Sequence, residues 1–342
     1  MRVLGTPFCS RGITFRASVR NLTYMFIRKS HLLMVAALAG LASCQSRSAS
    51  SDGPAIVWND ITATVGPLPA SISVYEGRDN NLPLRAWYTR VNLSSPSVHI
   101  QVVSSEDDDG KETTSSLSQG SGACLSVNAG YFSIQETQAR HVGLLVTDTE
   151  IIRSAIRGLY RDDKRYEVAR SAIGFEYDGT TDIRWVTSQG DSVFAWTNPP
   201  RNASISDSLV LDLGQAAYWP VRYAVSAGPS LLSDGEFHIT VNEELFDRST
   251  IPNVHPRTAA GITGDGHLLL LVVDGRQSGS RGVDLIGLAQ ILLDLGAEDA
   301  MNLDGGGSSS FVVNGQLLNH PAGGTSEREI VSAISVICRS ES

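Results

Sequence analysis

The chain has no apolar run long enough to cross a membrane comfortably. Its longest candidate near the N-terminus, Leu32 to Leu41, covers about ten residues where a spanning helix needs ~20. Cysteine is scarce, four in 342 residues, so an apolar core and not a dense disulfide framework must hold the fold. Basic charge is scarce beyond the N-terminus. Residues 1–43 carry six basic and no acidic side chains, leaving 21 basic against 36 acidic, a net charge of −15. Such a surface disfavours nucleic acid and anionic lipid, and any anionic substrate must be captured by local arginines. There is no Gly-Lys-Ser/Thr phosphate loop. Gly306-Gly307-Ser308-Ser309-Ser310 lacks the last glycine of a nucleophile elbow, which argues against a serine hydrolase. His99, His141, His238, His255, His267 and His320 show no close metal-ligand spacing. The acidic run Glu106 to Asp109 fails as a calcium loop, because Ser105 and Ser116 would occupy its first and twelfth ligand positions.

What is present begins with a leader. Basic residues Arg28 and Lys29 precede the Leu32–Leu41 stretch, as in a signal peptide, and Met25 stands where such a precursor would start. Residues 1–24 then read as an upstream over-extension. Leu41-Ala42-Ser43-Cys44 resembles the lipobox of bacterial lipoproteins, which implies lipidation of Cys44. The alternative is an ordinary signal sequence that happens to contain a cysteine. Gln45 is not the aspartate associated with inner-membrane retention, which favours the outer membrane in a host that has one. Residues 44–54 form a polar tether, and one domain is expected over 55–342, exported and anchored by lipid.

That domain reads as α+β, strand-rich, with a mixed β-sheet and few helices. Strands are expected at 84–93, 98–103, 125–132, 142–146, 173–177, 225–232, 267–273, 311–313 and 331–337, from apolar alternation or short apolar runs. Asp178-Gly179, Asp234-Gly235, Asp265-Gly266 and Asn314-Gly315 suit tight turns. The clearest helix runs from an Asp284 cap through Leu285, Leu288, Ala289 and Leu292 to a stop at Gly296. With the strands at 267–273 and 300–303 it forms a candidate β–α–β unit. Cys124 and Cys338 both lie on strand-like runs, either bridged or as two buried thiols.

Four segments set polar groups at the ends of apolar runs: Asn128 before Ala129-Gly130, Arg257-Thr258, Asp274-Gly275-Arg276, and Asn302-Leu303-Asp304-Gly305-Gly306-Gly307-Ser308. Each alone is weak, since Asp-Gly is more often a turn than a site. The three glycines admit backbone where no side chain fits, beside a carboxylate and an amide, so the last segment is the strongest candidate for a polar pocket. A flexible Gly/Ser loop is the plainer account of it.

Taken in order, Asn128-Ala-Gly-Tyr-Phe, Arg257-Thr-Ala, Asp274-Gly-Arg, Asn302-Leu-Asp-Gly-Gly-Gly-Ser and Arg328 resemble the phosphodiester glycosidase family, over about residues 120–338. Ala129 stands where glycine is frequent in that family. The resemblance implies hydrolysis of a sugar-1-phosphodiester on the glycosidic side, giving free sugar and a phosphomonoester. Phosphate leaves readily, so charge stabilisation matters more than general-acid help, and arginine forks suit it. Asp304 is then the first choice to activate water or attack C1, with Asp274 as the second carboxylate. Arg257, Arg276 and Arg328 would contact phosphate or sugar hydroxyls, unless they are buried clamps on the carboxylates. Asn128, Thr258, Asn302 and Ser308 would orient substrate, and Gly305 and Gly306 would supply backbone N–H groups.

No cofactor is required by this pattern, and an incidental calcium ion is left open. The expected partner is a phosphate-containing glycan, such as a surface or environmental polysaccharide, with no nucleic acid; the sequence does not fix an oligomeric state. The alternatives are a non-catalytic carbohydrate-binding surface lipoprotein and an exopolysaccharide assembly factor.

Overall fold

Six consecutive apolar residues, Leu268 to Val273, fill the strand His267–Val273, and both of its faces are covered. Leu268, Leu270 and Val272 point into one core, and Leu269, Leu271 and Val273 into another. An unbroken apolar run is what a strand buried on both sides requires. The computed structural model describes residues 53–79, 81–200, 211–324 and 326–339. Met25, the leader 1–43, Cys44 and most of the tether lie outside the described residues.

This strand is fourth in an eight-stranded sheet, in the order Ile56–Asp60, Ile72–Asp79, Leu84–Asn92, His267–Val273, Arg257–Thr263, Ala297–Asn302, Ser230–Ser233, Glu236–Phe237. The helix Leu285–Asp294 covers one face. Asp284 caps it by accepting from Gly287 N at 2.8 Å, and Gly296 follows its end at φ +89°. It buries Leu285, Leu288, Ala289, Ile291 and Leu292. Each of the larger side chains contributes about 1.5–3 kcal/mol, and the cap about 1 kcal/mol.

A five-stranded sheet covers the opposite face, ordered Gln316–Leu317, Phe311–Val313, Leu125–Asn128, Ser332–Cys338, Val98–Ser104. A seven-stranded sheet runs Ala217–Tyr218, Ser192–Trp196, Thr181–Gln189, Arg170–Glu176, Val221–Ser226, Leu145–Thr147, Glu150–Arg153. Its Ile173, Phe175 and Val225 join the same central core.

The expectation of a mixed sheet is corrected. Every strand pairing among the described residues is antiparallel. The tight turn at Asp265-Gly266 folds Arg257–Thr263 back onto His267–Val273. Arg257–Thr263 thereby sits between the two strands of the expected β–α–β unit, antiparallel to both. The strands expected at 125–132 and 225–232 each break once. Gly130 is pressed against His141 and Ser226, with no room for a Cβ, and the chain resumes as the hairpin Phe132–Gln135/Gln138–His141. Cys124 and Cys338 form a disulfide, Cα–Cα 5.7 Å, which ties the last strand to the core.

Candidate active site

The pairing register brings the four motif segments to one end of the sheets. Arg257 pairs with Val273, and Ala259 with Asn302, so Arg257, Asp274 and Asn302 share one edge of the large sheet. Asn128 ends its strand in the facing sheet, where its Oδ1 accepts from Thr258 Oγ1 at 2.6 Å and from Ser310 N at 3.1 Å. Its Nδ2 donates to the Asp304 carbonyl at 2.5 Å. One buried amide thus joins both sheets to the glycine turn.

Asp304 is held by these backbone contacts at the mouth of a cleft of about 180 Å³. Tyr131, Thr250, Ile251, His255, Arg257, Arg276, Asp304, the three glycines 305–307 and Arg328 line it. Asp304 is the only carboxylate among them. Its side chain is 14% exposed, and burial pushes its pKa up to about 6, opposed by hydrogen bonds from Ser308 and Gly305 N and by the Arg328 charge. Arg328 Nη2 lies 3.3 Å from Asp304 Oδ2 and also donates to Ser308 Oγ. The Ser308 hydroxyl then gives its own hydrogen to Asp304. The Arg328 guanidinium rests over the Phe132 ring at 5.2 Å, which fixes the arginine from its other side.

The glycines are demanded unequally. A Cβ on Gly305 would stand 2.7 Å from Pro256 O, and Gly306 adopts φ +63°. A Cβ on Gly307 would meet only ordinary contacts with Arg328, 3.6 Å away. The glycine N–H groups expected to face substrate are partly engaged, Gly306 N with Pro256 O at 2.9 Å and Gly305 N with Asp304.

Several expected site residues have other tasks. Asp274 is not among the cleft residues. Its carboxylate is fully buried and accepts from Asn319 Nδ2 at 3.1 Å and His320 N at 3.0 Å, and burial raises its pKa. It fastens the returning 319–320 segment and is not a second carboxylate of the cleft. Asn128, Thr258 and Ser308 are buried, and their side-chain polar atoms meet protein partners at the turn. Asn302 is likewise buried, its Nδ2 2.8 Å from Tyr131 Oη and 2.7 Å from Leu303 O.

Arg257 combines both readings. It donates to Val283 O at 3.0 Å, Ile251 O at 2.7 Å, Asn253 O and Asn302 Oδ1 at 3.4 Å. Burial lowers its pKa to about 10, so it stays protonated at neutral pH. It clamps backbone carbonyls, not a carboxylate, while facing the cleft. Arg276 and Arg328 remain as the more exposed cations.

Sequence reasoning missed Tyr131, Thr250, Ile251 and His255. Tyr131 lies inside the 128–132 motif, and His255 stands two residues before Arg257, but neither carries a spacing signal of its own. It also missed Glu244, fully buried behind the cleft. Glu244 accepts from Ser171 N at 2.9 Å, Trp185 Nε1 at 3.0 Å, Ser230 N at 2.9 Å and Thr240 Oγ1 at 2.6 Å. It joins the seven-stranded sheet to the segment that carries Gly228, whose carbonyl receives the Tyr131 hydroxyl at 2.8 Å.

Known proteins resemble this chain in sequence over a short stretch and in fold over most of its length. Over 69 residues the chain is 46% identical to bovine N-acetylglucosamine-1-phosphodiester alpha-N-acetylglucosaminidase, which is 20% of this chain and 13% of the bovine protein. The zebrafish catalytic domain of that name, solved as auto-inhibited by its pro-peptide, aligns over 84% of this chain and 85% of its own, with TM-score 0.54 and 22% identity. A Synechocystis protein aligns over 79% of this chain and 62% of its own, with TM-score 0.55 and 17% identity. These two structures share the fold; the curated relatives are matched over only a small part of their length. The family model for phosphodiester glycosidase matches residues 121–337, from just before Cys124 to just before Cys338, and the chain belongs to the phosphodiester glycosidase family.

Proposed function

We propose that this chain is an exported hydrolase that splits a sugar-1-phosphodiester at the bond between C1 and the bridging oxygen, releasing free sugar and a phosphomonoester. The observation that carries this reading is that one lone cleft carboxylate, Asp304, shares the cleft with the two exposed cations Arg276 and Arg328, of which Arg328 is its ion-pair partner. An ordinary glycosidase needs a second carboxyl group to protonate its leaving group. A departing phosphate does not, so one carboxylate and two guanidinium groups form a sufficient set.

In this mechanism Asp304 is ionised and either takes a proton from the water that attacks C1, or attacks C1 itself to form a glycosyl ester that water then hydrolyses to free sugar and the carboxylate. The electron pair of the breaking C1–O bond passes to the phosphate oxygen, whose charge Arg276 and Arg328 meet. Hydrogen bonds from Ser308 and Gly305 aim the carboxylate. The substrate is N-acetylglucosamine-1-phosphodiester-like in its linkage, carried on a surface or environmental polysaccharide. The leader, with lipidation at Cys44, would hold the enzyme at the cell envelope. The Cys124–Cys338 disulfide suits an oxidising compartment.

The test is a panel of sugar-1-phosphodiesters assayed for both reducing sugar and phosphomonoester. Equal release of the two, lost in Asp304→Asn, is expected. Binding of the panel without release by the unaltered protein would instead favour a carbohydrate-binding lipoprotein.

A further inference from the structure

We propose that His255 is a positioning residue that holds the Arg276 guanidinium in place for a substrate phosphate and ties together two walls of the cleft. This rests on reading the cleft as a glycosyl phosphodiester site. His255 Nε2 lies 2.8 Å from Thr250 O, and its Nδ1 lies 3.2 Å from Arg276 Nη2. A guanidinium can only donate, so Nδ1 is the acceptor and the ring hydrogen is on Nε2, donated to Thr250 O. The two contacts together fix the neutral tautomer. Burial and the charges of Arg257 and Arg276 lower the His255 pKa, in keeping with that form.

The choice of a neutral acceptor has a chemical consequence. Among the described residues Arg276 has no carboxylate within ion-pair distance, whereas Arg328 has Asp304. A carboxylate at position 255 would orient Arg276 equally well but would cancel the charge a phosphate needs. Imidazole orients the guanidinium and leaves its charge intact. Arg276 also adopts φ +60°, a left-handed conformation that a non-glycine residue holds only where its surroundings enforce it. The guanidinium also faces Gly306, where a Cβ would stand 3.2 Å from Nη2. Two unusual backbone positions and one imidazole thus converge on a single exposed cation.

The test separates the two hydrogen bonds. His255→Leu removes both, His255→Asn keeps an acceptor near the Nδ1 position, and His255→Gln keeps a donor near Nε2. KM for a small sugar-1-phosphodiester is expected to rise about tenfold in His255→Leu with kcat changed less than about threefold. His255→Asn should recover most of that loss and His255→Gln little. The dissociation constant for inorganic phosphate should follow the same order, and His255→Leu should add nothing in an Arg276→Gln background. Equal behaviour of the Asn and Leu variants, or a fall in kcat at constant KM, would overturn the assignment. If the unaltered protein turned over no sugar phosphodiester, the functional reading would fall, while the phosphate constants would still decide the role of His255.

Discussion

Asn128 and Asp304, 176 residues apart in the chain, share a hydrogen bond of 2.5 Å from the Asn128 amide to the Asp304 carbonyl. The oxygen of the same side-chain amide accepts from Thr258 and Ser310, so one side chain joins its own strand to two further segments. Asn128→Ala would leave the Thr258 hydroxyl and the Ser310 N–H buried without their acceptor. A loss of about 2–4 kcal/mol in unfolding free energy is expected, measured by urea denaturation. A variant as stable as the parent would contradict the bridging role.

Asp304→Asn should abolish turnover, by about a thousandfold or more, and yet stabilise the protein at neutral pH. The folded pKa, about 6, is above the unfolded value of 3.8, so the folded state binds the extra proton between them. Stability contributed by this group is present below pH 3.8 and is lost as pH rises through about 6. The variant should therefore gain on the order of 1–3 kcal/mol at pH 8 and little at pH 3. Activity of the parent should rise with pH through about 6 as Asp304 ionises. An acid limb at the usual carboxylate range would contradict the burial argument.

Asp274 offers a contrast between two carboxylates. Because Asp274 secures Asn319 and His320 and does not line the cleft, Asp274→Asn should keep kcat within about tenfold of the parent. Asp274→Ala, which leaves the His320 N–H without its buried acceptor, should lower stability by about 1–3 kcal/mol. A thousandfold fall in kcat for a folded Asp274→Asn protein would restore it as a catalytic carboxylate.

Reducing the Cys124–Cys338 disulfide opens a loop closed across 214 residues. The chain-entropy account puts its contribution at about 5 kcal/mol, so the melting temperature should fall by several degrees on reduction. No change in melting temperature would mean that packing of the last strand alone closes the fold.

Much of the framework was legible because it is local. The strands His267–Val273 and Phe311–Val313 follow from their apolar runs, and the helix Leu285–Asp294 from its Asp284 cap and apolar stripe. The pairing partners were not legible. Asp265-Gly266 announces a turn, but nothing in the residues says that Arg257–Thr263 will fill the gap within the expected β–α–β unit. The site divides in the same way. The Asp304 turn was readable from its glycines, while the destination of Asp274 depends on where residues 319 and 320 return. His255 carries no metal-ligand spacing in the sequence, and its place between Thr250 and Arg276 depends on the fold.

The most direct measurement is turnover of a sugar-1-phosphodiester in water enriched in oxygen-18, with both products examined by mass spectrometry. Attack at C1 by water, directly or after Asp304 has reacted, places the label in the released sugar and none in the phosphomonoester. Label in the phosphomonoester would mean that the phosphorus–oxygen bond is the one cleaved, and would contradict the account.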